Sequence, residues 1–310
     1  MGRKFLALDS VYNPHTVAVI FDNGTTVAHK VDGDSSYQEV MSRLSLDSSR
    51  HLAPPYEDPG DSFADGPRRA KRQLRKSIGL PATGDVGALS TLIRDLRLKA
   101  ESDLGIHISS AVIAVSHLVA LYQDDVQDAF EYVGIEYVEP KNYFRPLFWE
   151  TAAVYAGYGF GLCEHYDDPK ACAAEEGKMQ QESILAVHYS RKALTTSLAV
   201  MKTAVALWEP DYRHMEDFTL GYNAIGGGES EEKYWDAVRD YLQALMVRYQ
   251  HYERPSKIIL TGDMALDETF TRILKEAMVN VMGKVPPIFS NDPEFVATKG
   301  AAEFRRRKDF

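Results

Sequence analysis

One arrangement of strand and helix patterns occurs twice in the sequence, and this duplication constrains the fold more than any other feature. In each copy, three short β-rich runs lead into a helix with periodic apolar residues and then into an apolar strand. The strand runs of the first copy lie at 5–9, 16–21, 25–31 and 111–115. Those of the second copy lie at 184–187, 193–200, 215–224 and 257–261. Each half is therefore predicted to form a β-meander joined to a parallel α/β unit.

The length of 310 residues supports the same division, because one hydrophobic core rarely serves so long a chain. We expect lobe I at 1–145, a connecting helix at 146–162 and lobe II at 163–310. Within lobe I, the stretch at 47–85 is rich in Pro, Gly, Asp and Ser. This stretch is therefore predicted to be an irregular insertion rather than core.

A run of basic residues lies inside this insertion. Residues 68–76 read Arg-Arg-Ala-Lys-Arg-Gln-Leu-Arg-Lys and follow an acidic stretch. Such a run is most often the solvated face of a helix, which is the interpretation that we prefer. A site for an anion or a protein partner is the alternative.

The overall charge limits the partners of the chain. A formal net charge of -10 at pH 7 would repel a phosphate backbone, so nucleic acid is not an expected partner. No stretch approaches the roughly 20 apolar residues that span a bilayer, and no signal peptide precedes the first strand. We expect a soluble protein without a membrane partner, cytoplasmic by default, which interacts with a protein that the sequence does not identify.

Two features favour a secretory lumen as the alternative compartment. Cys163 and Cys172 stand nine residues apart around a turn signal, which permits a disulfide. Asn23 begins an Asn-Gly-Thr glycosylation sequon at a predicted hairpin turn. Two reduced thiols and a chance sequon in a cytosolic protein are the plainer interpretation. The cysteines with the nearby His165 and Asp168 match no common zinc spacing, so no metal site is expected.

Five short motifs, in order along the chain, carry a resemblance to a known superfamily. They are the strand at 111–116, the helix ending at Gly134, Glu-Thr-Ala-Ala-Val-Tyr-Ala-Gly at 150–157, Ile-Ile-Leu-Thr-Gly at 258–262, and Asp-Pro-Glu-Phe-Val-Ala-Thr-Lys-Gly-Ala-Ala at 292–302. Their order and spacing resemble the actin, heat-shock chaperone and sugar kinase superfamily. They are most similar to the nucleotide-binding domain of the seventy-kilodalton heat-shock chaperones. The resemblance implies an α/β, two-lobed actin-like (ribonuclease H-like) fold with duplicated mixed sheets and flanking helices.

In this superfamily two β-hairpin turns hold the phosphates of ATP, because their glycines allow backbone N–H groups to approach the phosphate oxygens. The first turn should read Asp-x-Gly-Thr-Thr, but only Asp9 remains and the bulky residues 10–15 follow it. The second should read Asp-x-Gly-Gly-Gly-Thr, but the strand at 184–187 runs into His-Tyr-Ser-Arg-Lys. Arg191 and Lys192 are the one replacement there that could hold an anion by side-chain charge, without magnesium.

The remaining site positions are altered as well. Glu150 stands one residue after the position of the family's catalytic glutamate, and a one-residue slip turns a helical side chain by about 100°. Gly262 keeps the glycine of the adenosine motif, but Asp263 follows where a small residue is expected. Gly226 and Gly227 are the other candidates for contact with a nucleotide. Too few residues follow them to form the lid subdomain that covers the adenine in the chaperones.

These substitutions lead to a functional hypothesis. We expect a pseudo-ATPase that has no cofactor and acts as a binding or scaffold protein, with Asp9 and Glu150 as vestiges of the catalytic site. Removing one good contact to a transferring phosphoryl group costs about 3 kcal/mol, and several such contacts are altered here. The alternative is a weak ATPase or chaperone that binds ATP and magnesium in a remodelled site with Asp9, Glu150 and Gly262. A sugar kinase relative is a third hypothesis.

Overall fold

The computed structural model describes residues 4–9, 15–21, 23–32, 34–56, 58–139, 147–204, 207–208, 213–227, 230–251 and 253–307. The chain divides into two compact units, Met1–Phe148 and Trp149–Asp309. The boundary lies near residue 146, where the connecting helix is predicted to begin. A helix, Glu150–Gly157, lies within the predicted connecting range 146–162, and the division into two lobes and a connecting helix stays a prediction.

The first unit is built on a mixed sheet. Its strands are β1 (Lys4–Asp9), β2 (His15–Phe21), β3 (Thr26–Val31), β4 (Ser110–Val115) and β5 (Glu136–Tyr137). They are ordered β3-β2-β1-β4-β5, and a short strand β6 (Phe148–Trp149) also pairs with β4. The first three strands are antiparallel neighbours, whereas β4 is parallel to β1 and to β5. This is the meander followed by a parallel α/β unit that the sequence pattern predicts.

Helices surround this sheet. They are α1 (Ser35–Leu44), α2 (Pro59–Ala64), α3 (Gly66–Ser77), α4 (Gly84–Leu104) and α5 (Gln123–Val133). Asp34 caps α1, and its side chain accepts a hydrogen bond from the Tyr37 N–H at 2.8 Å. The predicted end of α5 at Gly134 is confirmed, and α4 ends in the same way at Gly105: the two glycines have φ of 73° and 59°. These left-handed conformations favour glycine at a helix end.

The insertion at 47–85 is more regular than its composition predicts. It contains a 3-10 turn (Asp47–Ser49) and then α2 and α3, which are separated by Asp65 alone. Arg72 on α3 is 5% exposed and pairs with acidic side chains of α5. The basic side chains of α3 that face α5 therefore belong to an internal ion-pair network. The interpretation of the run as a solvated face holds only for the basic side chains on the other side of the helix.

The second unit repeats the arrangement. Its strands are β7 (Glu182–Tyr189), β8 (Leu194–Met201), β9 (Leu207–Trp208), β10 (His214–Asp217), β11 (Lys257–Thr261) and β12 (Ile288–Phe289). The order is β10-β8-β7-β11-β12, with β9 beside β8. Strand β8 is antiparallel to β7, and β11 is parallel to both β7 and β12.

In the described residues of this unit there are five further helices. They are α6 (Glu150–Gly157), α7 (Pro169–Lys178), α8 (Glu231–Arg248), α9 (Glu268–Met282) and α10 (Val296–Arg307). The last helix begins at Val296, and Asp292, at the start of the motif at 292–302, has φ of 53° and lies in the turn before it. Among the helices in the described part of the chain, none is both long and apolar enough to cross a bilayer.

Helices α6 and α10 cross at very short range. A Cβ atom on Gly300 would lie 1.8 Å from the Ala153 carbonyl oxygen and 2.4 Å from the Gly157 nitrogen. Only glycine permits this approach of two backbones. Two of the motifs that carry the family resemblance, at 150–157 and 292–302, are therefore packing motifs.

Candidate functional site

The second phosphate turn of the superfamily corresponds to a tight turn between β7 and β8. Strand β7 continues through His188 and Tyr189, two residues beyond its predicted end, and β8 begins at Leu194. The turn is closed by a hydrogen bond from the Ser190 N–H to the Ala193 carbonyl oxygen at 3.0 Å. Since β7 extends this far, His188 is a strand residue and lies beside Thr261 of β11.

The backbone donors of this turn already have acceptors within the protein. The Arg191 N–H donates to Oδ1 of Asp263 at 3.1 Å. The N–H groups of Lys192 and Ala193 both point to the Ser190 hydroxyl, at 3.3 and 3.2 Å. The side chains of Asp263 and Ser190 thus accept hydrogen bonds from these backbone N–H groups. In the phosphate-binding turn that this turn resembles, such N–H groups would face phosphate oxygens.

Gly262 brings Asp263 to the turn. Its φ is 99°, and a Cβ atom there would lie 2.2 Å from the Tyr189 carbonyl oxygen. The same oxygen accepts a hydrogen bond from the Met264 N–H at 3.1 Å. The chain after β11 consequently runs directly against the end of β7, which places the next side chain beside Arg191.

The carboxylate of Asp263 stands in for an anion at this turn. Its side chain is 4% exposed, and Oδ2 lies 3.2 Å from Nε of Arg191. Burial raises the pKa of Asp263, while the hydrogen bond from the Arg191 N–H and the Arg191 charge oppose that rise. Arg191 itself remains half exposed, with 52% of its side chain accessible. The charge predicted to attract an external anion therefore already faces a carboxylate of the same unit.

A third segment holds the turn from its other side. The N–H groups of Tyr222 and Asn223 donate to the carbonyl oxygens of Ser190 and Arg191, each at 3.0 Å. A Cβ atom on the preceding Gly221 would lie 2.3 Å from the Lys192 carbonyl carbon. The turn is thus fixed by contacts on three sides.

The predicted glycine candidates lie just beyond this segment. Gly226 and Gly227 follow the 3-10 turn Tyr222–Ala224, and both are outside the strands and helices. Gly226 has φ of 80°, which favours glycine there for backbone reasons alone. The third glycine of the run, Gly228, lies outside the described residues. In the described residues between Gly227 and β11 there is one helix, α8, where the chaperones have a lid subdomain.

Glu150 belongs to a buried polar cluster at the start of α6. Its Oε1 lies 3.0 Å from Nδ1 of His188 and accepts a hydrogen bond from the Thr261 hydroxyl at 2.8 Å. Nδ1 of His188 is also 3.0 Å from that hydroxyl. Glu150 and His188 are both largely buried, at 8% and 6% exposure. The carboxylate predicted to be vestigial is therefore engaged by neighbours on β7 and β11.

Asp9 is placed only by its backbone. It ends β1, opposite Thr16 of β2 and Ala114 of β4. The residues after it, which correspond to the first phosphate turn and include Tyr12 and Pro14, lie outside the described residues. The prediction that this turn has lost its phosphate contacts stays a prediction.

A disulfide joins Cys163 and Cys172 in the second unit. The same two residues and Glu176 form the one group of metal-ligand type found in the described part of the chain. Because both sulfur atoms are engaged in the disulfide, neither is available as a thiolate ligand. Asn23 is exposed at the β2–β3 turn, where its side chain accepts a hydrogen bond from the Thr25 N–H at 3.0 Å.

Sequence reasoning missed two residues of the site, Ser190 and Thr261. Ser190 caps its own turn through its hydroxyl, and a serine at the first position of a tight turn is the available sequence signal. Thr261 had no signal, because its contact with Glu150 spans 111 residues of sequence. The sequence indicated Asp263 only as a departure from the small residue expected after Gly262, whereas its carboxylate contacts the turn directly.

Comparisons with known proteins support the fold. The solved structure of the ethanolamine utilization protein EutJ from Carboxydothermus hydrogenoformans matches with a TM-score of 0.52. The match covers 97% of this chain and 90% of that chain at 12% sequence identity. EutJ has the actin-like two-lobed fold, which confirms the predicted fold class for this chain. No protein-family model and no curated protein matches the sequence.

Proposed function

We propose that this chain is a non-catalytic member of the actin-like ATPase superfamily that acts as a binding or scaffold protein. The observation that carries this proposal is the occupation of the turn at 190–193. The N–H groups of Arg191, Lys192 and Ala193 donate to Asp263 and Ser190. A phosphate could reach them only by displacing a buried carboxylate and a hydroxyl.

The energetic argument favours the closed turn. Breaking the contact between the Arg191 N–H and Asp263 would leave a nearly buried carboxylate beside a phosphate, and two like charges at such a distance repel each other strongly. Hydrogen bonds to charged groups contribute about 1.5 to 3 kcal/mol each. The new contacts of a nucleotide would have to contribute more than the hydrogen bond that they replace before the nucleotide bound at all. The turn therefore opposes nucleotide binding both sterically and electrostatically.

The cluster around Glu150 supports the same proposal. A catalytic carboxylate in this superfamily has to reach a water molecule beside the γ-phosphate, whereas Glu150 accepts hydrogen bonds from Thr261 and lies against His188. Its carboxylate oxygen Oε1 is contacted by two side chains, His188 and Thr261. Such a cluster stabilises the packing of α6 against β7 and β11, and its contacts favour a structural role for Glu150 over a hydrolytic one.

Calorimetric titration of the intact chain with Mg-ATP tests the proposal. We expect no binding heat and no rise in melting temperature with millimolar Mg-ATP or Mg-ADP, because a ligand stabilises the folded state by RT ln(1 + [L]/Kd) only when a site exists. A shift of several degrees would contradict the proposal and favour the weak ATPase. The variant Asp9→Asn is the control, since it should abolish such a shift if the ancestral magnesium site binds the nucleotide.

A further inference from the structure

Helix α3 faces the rest of the first unit with its charged side. An ordinary surface helix buries an apolar stripe and exposes its charges. In α3 three cations at i, i+4 and i+8 instead pair with acidic residues of α5. The pairs are Arg68–Asp124 at 2.8 Å, Arg72–Asp125 at 2.7 Å and Lys76–Asp128 at 2.7 Å. Polar contacts thus attach α3 to the unit, and its opposite side is left to solvent.

That opposite side is apolar. It carries Phe63, Pro67, Ala70, Leu74 and Ile78, all of them exposed; we call this set the 63–78 stripe. Three of its members are large, and Phe63 is 87% exposed while Leu74 and Ile78 are each 65% exposed. Large apolar side chains in one exposed row on a protein surface mark an interaction site more often than isolated ones do.

The stripe runs along one nearly continuous helical path. Asp65, between α2 and α3, keeps helical φ and ψ of -80° and -4°, and its N–H donates to the Asp61 carbonyl oxygen at 2.9 Å. The side chains of Phe63, Pro67, Ala70 and Leu74 recur at alternating spacings of four and three residues. This is the spacing of the apolar seam by which one helix packs against another.

The narrow width of the stripe favours a partner helix over a lipid surface as its occupant. Exposed polar side chains border it closely, with Lys71 and Gln73 on α3 next to Ala70 and Leu74. A helix that lies in a membrane interface needs a wider apolar face than such a seam.

The charges beside the seam are of one sign along α3. Residues 66–84 contain no Asp or Glu, and the exposed cations there include Arg69 and Lys71. Charges that flank an apolar seam determine which partner helix is accepted. Arg69 is engaged by Ser62, so Lys71 is the cation beside the seam, and the complementary partner carries acidic residues beside its own apolar seam on the side that faces Lys71.

We propose that the 63–78 stripe is a docking surface for an acidic amphipathic helix of another protein. Leu74 and Ile78 contact the apolar seam of that helix, and Ala70 allows its backbone to approach. Lys71 pairs with an acidic residue beside the seam. This surface lies within the first unit and does not depend on the proposed loss of ATPase activity in the second.

A pair of synthetic peptides tests the proposal with the intact chain. Each peptide has three heptads with Leu at the two seam positions; the first has Glu beside the seam and the second has Lys, and like charges keep each peptide from pairing with itself. We expect the acidic peptide to bind at least tenfold more tightly than the basic one, as measured by fluorescence anisotropy. The affinity of the acidic peptide should fall as salt is added.

Three variants identify the surface. Leu74→Glu should weaken the binding of the acidic peptide at least tenfold. Leu98→Glu should not weaken it, because Leu98 lies on α4, away from the stripe, and is 54% exposed. Lys71→Glu should weaken the binding of the acidic peptide and strengthen the binding of the basic peptide. A purely structural effect would not produce this reversal. Melting temperatures of all three variants should match that of the wild type, because each side chain is exposed.

Several outcomes would overturn the proposal. Equal binding of the two peptides, or no binding of either, would exclude an acidic helix as the occupant. Binding to phosphatidylserine vesicles that Leu74→Glu abolishes would assign the stripe to a membrane surface instead. Concentration-dependent self-association in sedimentation velocity, lost in Leu74→Glu, would assign it to a second copy of this chain.

Discussion

Asp263 accepts a hydrogen bond from the Arg191 N–H at 3.1 Å and also pairs with the Arg191 guanidinium, so one carboxylate closes the turn at which a related protein would bind phosphate. The contact spans 72 residues of sequence. It depends on Gly262, because a side chain there would collide with the Tyr189 carbonyl oxygen. Gly262, which the close backbone approach requires, and Asp263, which closes the turn, are thus adjacent in the chain.

The first prediction concerns anions at this turn. We expect sulfate or phosphate to bind only in the millimolar range, without help from magnesium, because two exposed cations contribute about 1 to 2 kcal/mol together and Asp263 competes for one of them. Removing the competing carboxylate in Asp263→Ala should tighten anion binding severalfold in an isothermal titration.

Two further variants distinguish anion binding by the cationic side chains from binding at the ancestral magnesium-dependent site. Replacing both Arg191 and Lys192 by Ala should abolish any stabilisation by sulfate, whereas Asp9→Asn should leave it intact. The reverse result, with Asp9→Asn alone removing the effect, would show that a magnesium-dependent site has survived.

The second prediction concerns the crossing of α6 and α10. Gly300→Ala should destabilise the protein by about 3 kcal/mol, because a Cβ atom has no room between Ala153 and Gly157 and overpacking strains both backbones. Urea unfolding measures the loss. Gly177→Ala is the matched control, since nothing lies within 4 Å of a Cβ atom on that residue of α7. The control should be neutral or stabilising by up to about 1 kcal/mol, and equal losses in both variants would refute the packing argument.

The third prediction concerns Arg72, which links α3 to α5. Its guanidinium donates to Asp125 and to Asp128, each at 2.7 Å, and to the Asp124 carbonyl oxygen at 2.8 Å. Arg72→Ala should lower the free energy of unfolding by about 3 to 5 kcal/mol, because it leaves buried carboxylates without their cation. Lys71→Ala, one residue away on the exposed side, should change it by less than about 0.5 kcal/mol. If Arg72→Met proved as stable as the wild type, the network would have no role in holding α3.

The fourth prediction concerns acid. Hydrogen bonds from Arg68 at 2.6 and 2.8 Å hold the pKa of the buried Asp65 below its ordinary value of 3.8. Because the folded-state pKa is the lower one, this pair stabilises the protein fully above pH 3.8, and the stabilisation is lost as the pH falls through the folded-state pKa.

Asp65→Asn measures that contribution. The variant should be less stable than the wild type by about 1 to 3 kcal/mol at pH 7, and the difference should shrink below pH 4. Urea unfolding at several pH values gives both numbers. A difference that stays constant down to pH 3 would mean that the loss comes from packing rather than from the carboxylate charge.

Most of the fold could be read from the sequence, because local patterns determine local structure. Alternating and periodic apolar residues located the strands of both sheets and the helices beside them, and both bounds of β11 agree to the residue. Glycines at the ends of α4 and α5 marked their stops. The family motifs at 150–157 and 292–302 were visible as sequence because close backbone packing tolerates only small residues there.

The sequence also predicted which phosphate-binding residues are missing, since an absent glycine is a local feature of the sequence. What replaces them was decided by tertiary structure alone. The contacts of Asp263 with Arg191 and of Glu150 with His188 and Thr261 join residues 38 to 111 positions apart, and nothing in a local pattern encodes such pairs. The same holds for α3, whose basic residues look solvated in the sequence. They are partly buried because the acidic side chains that neutralise them lie on α5, about 50 residues later, and only folding brings the two helices together.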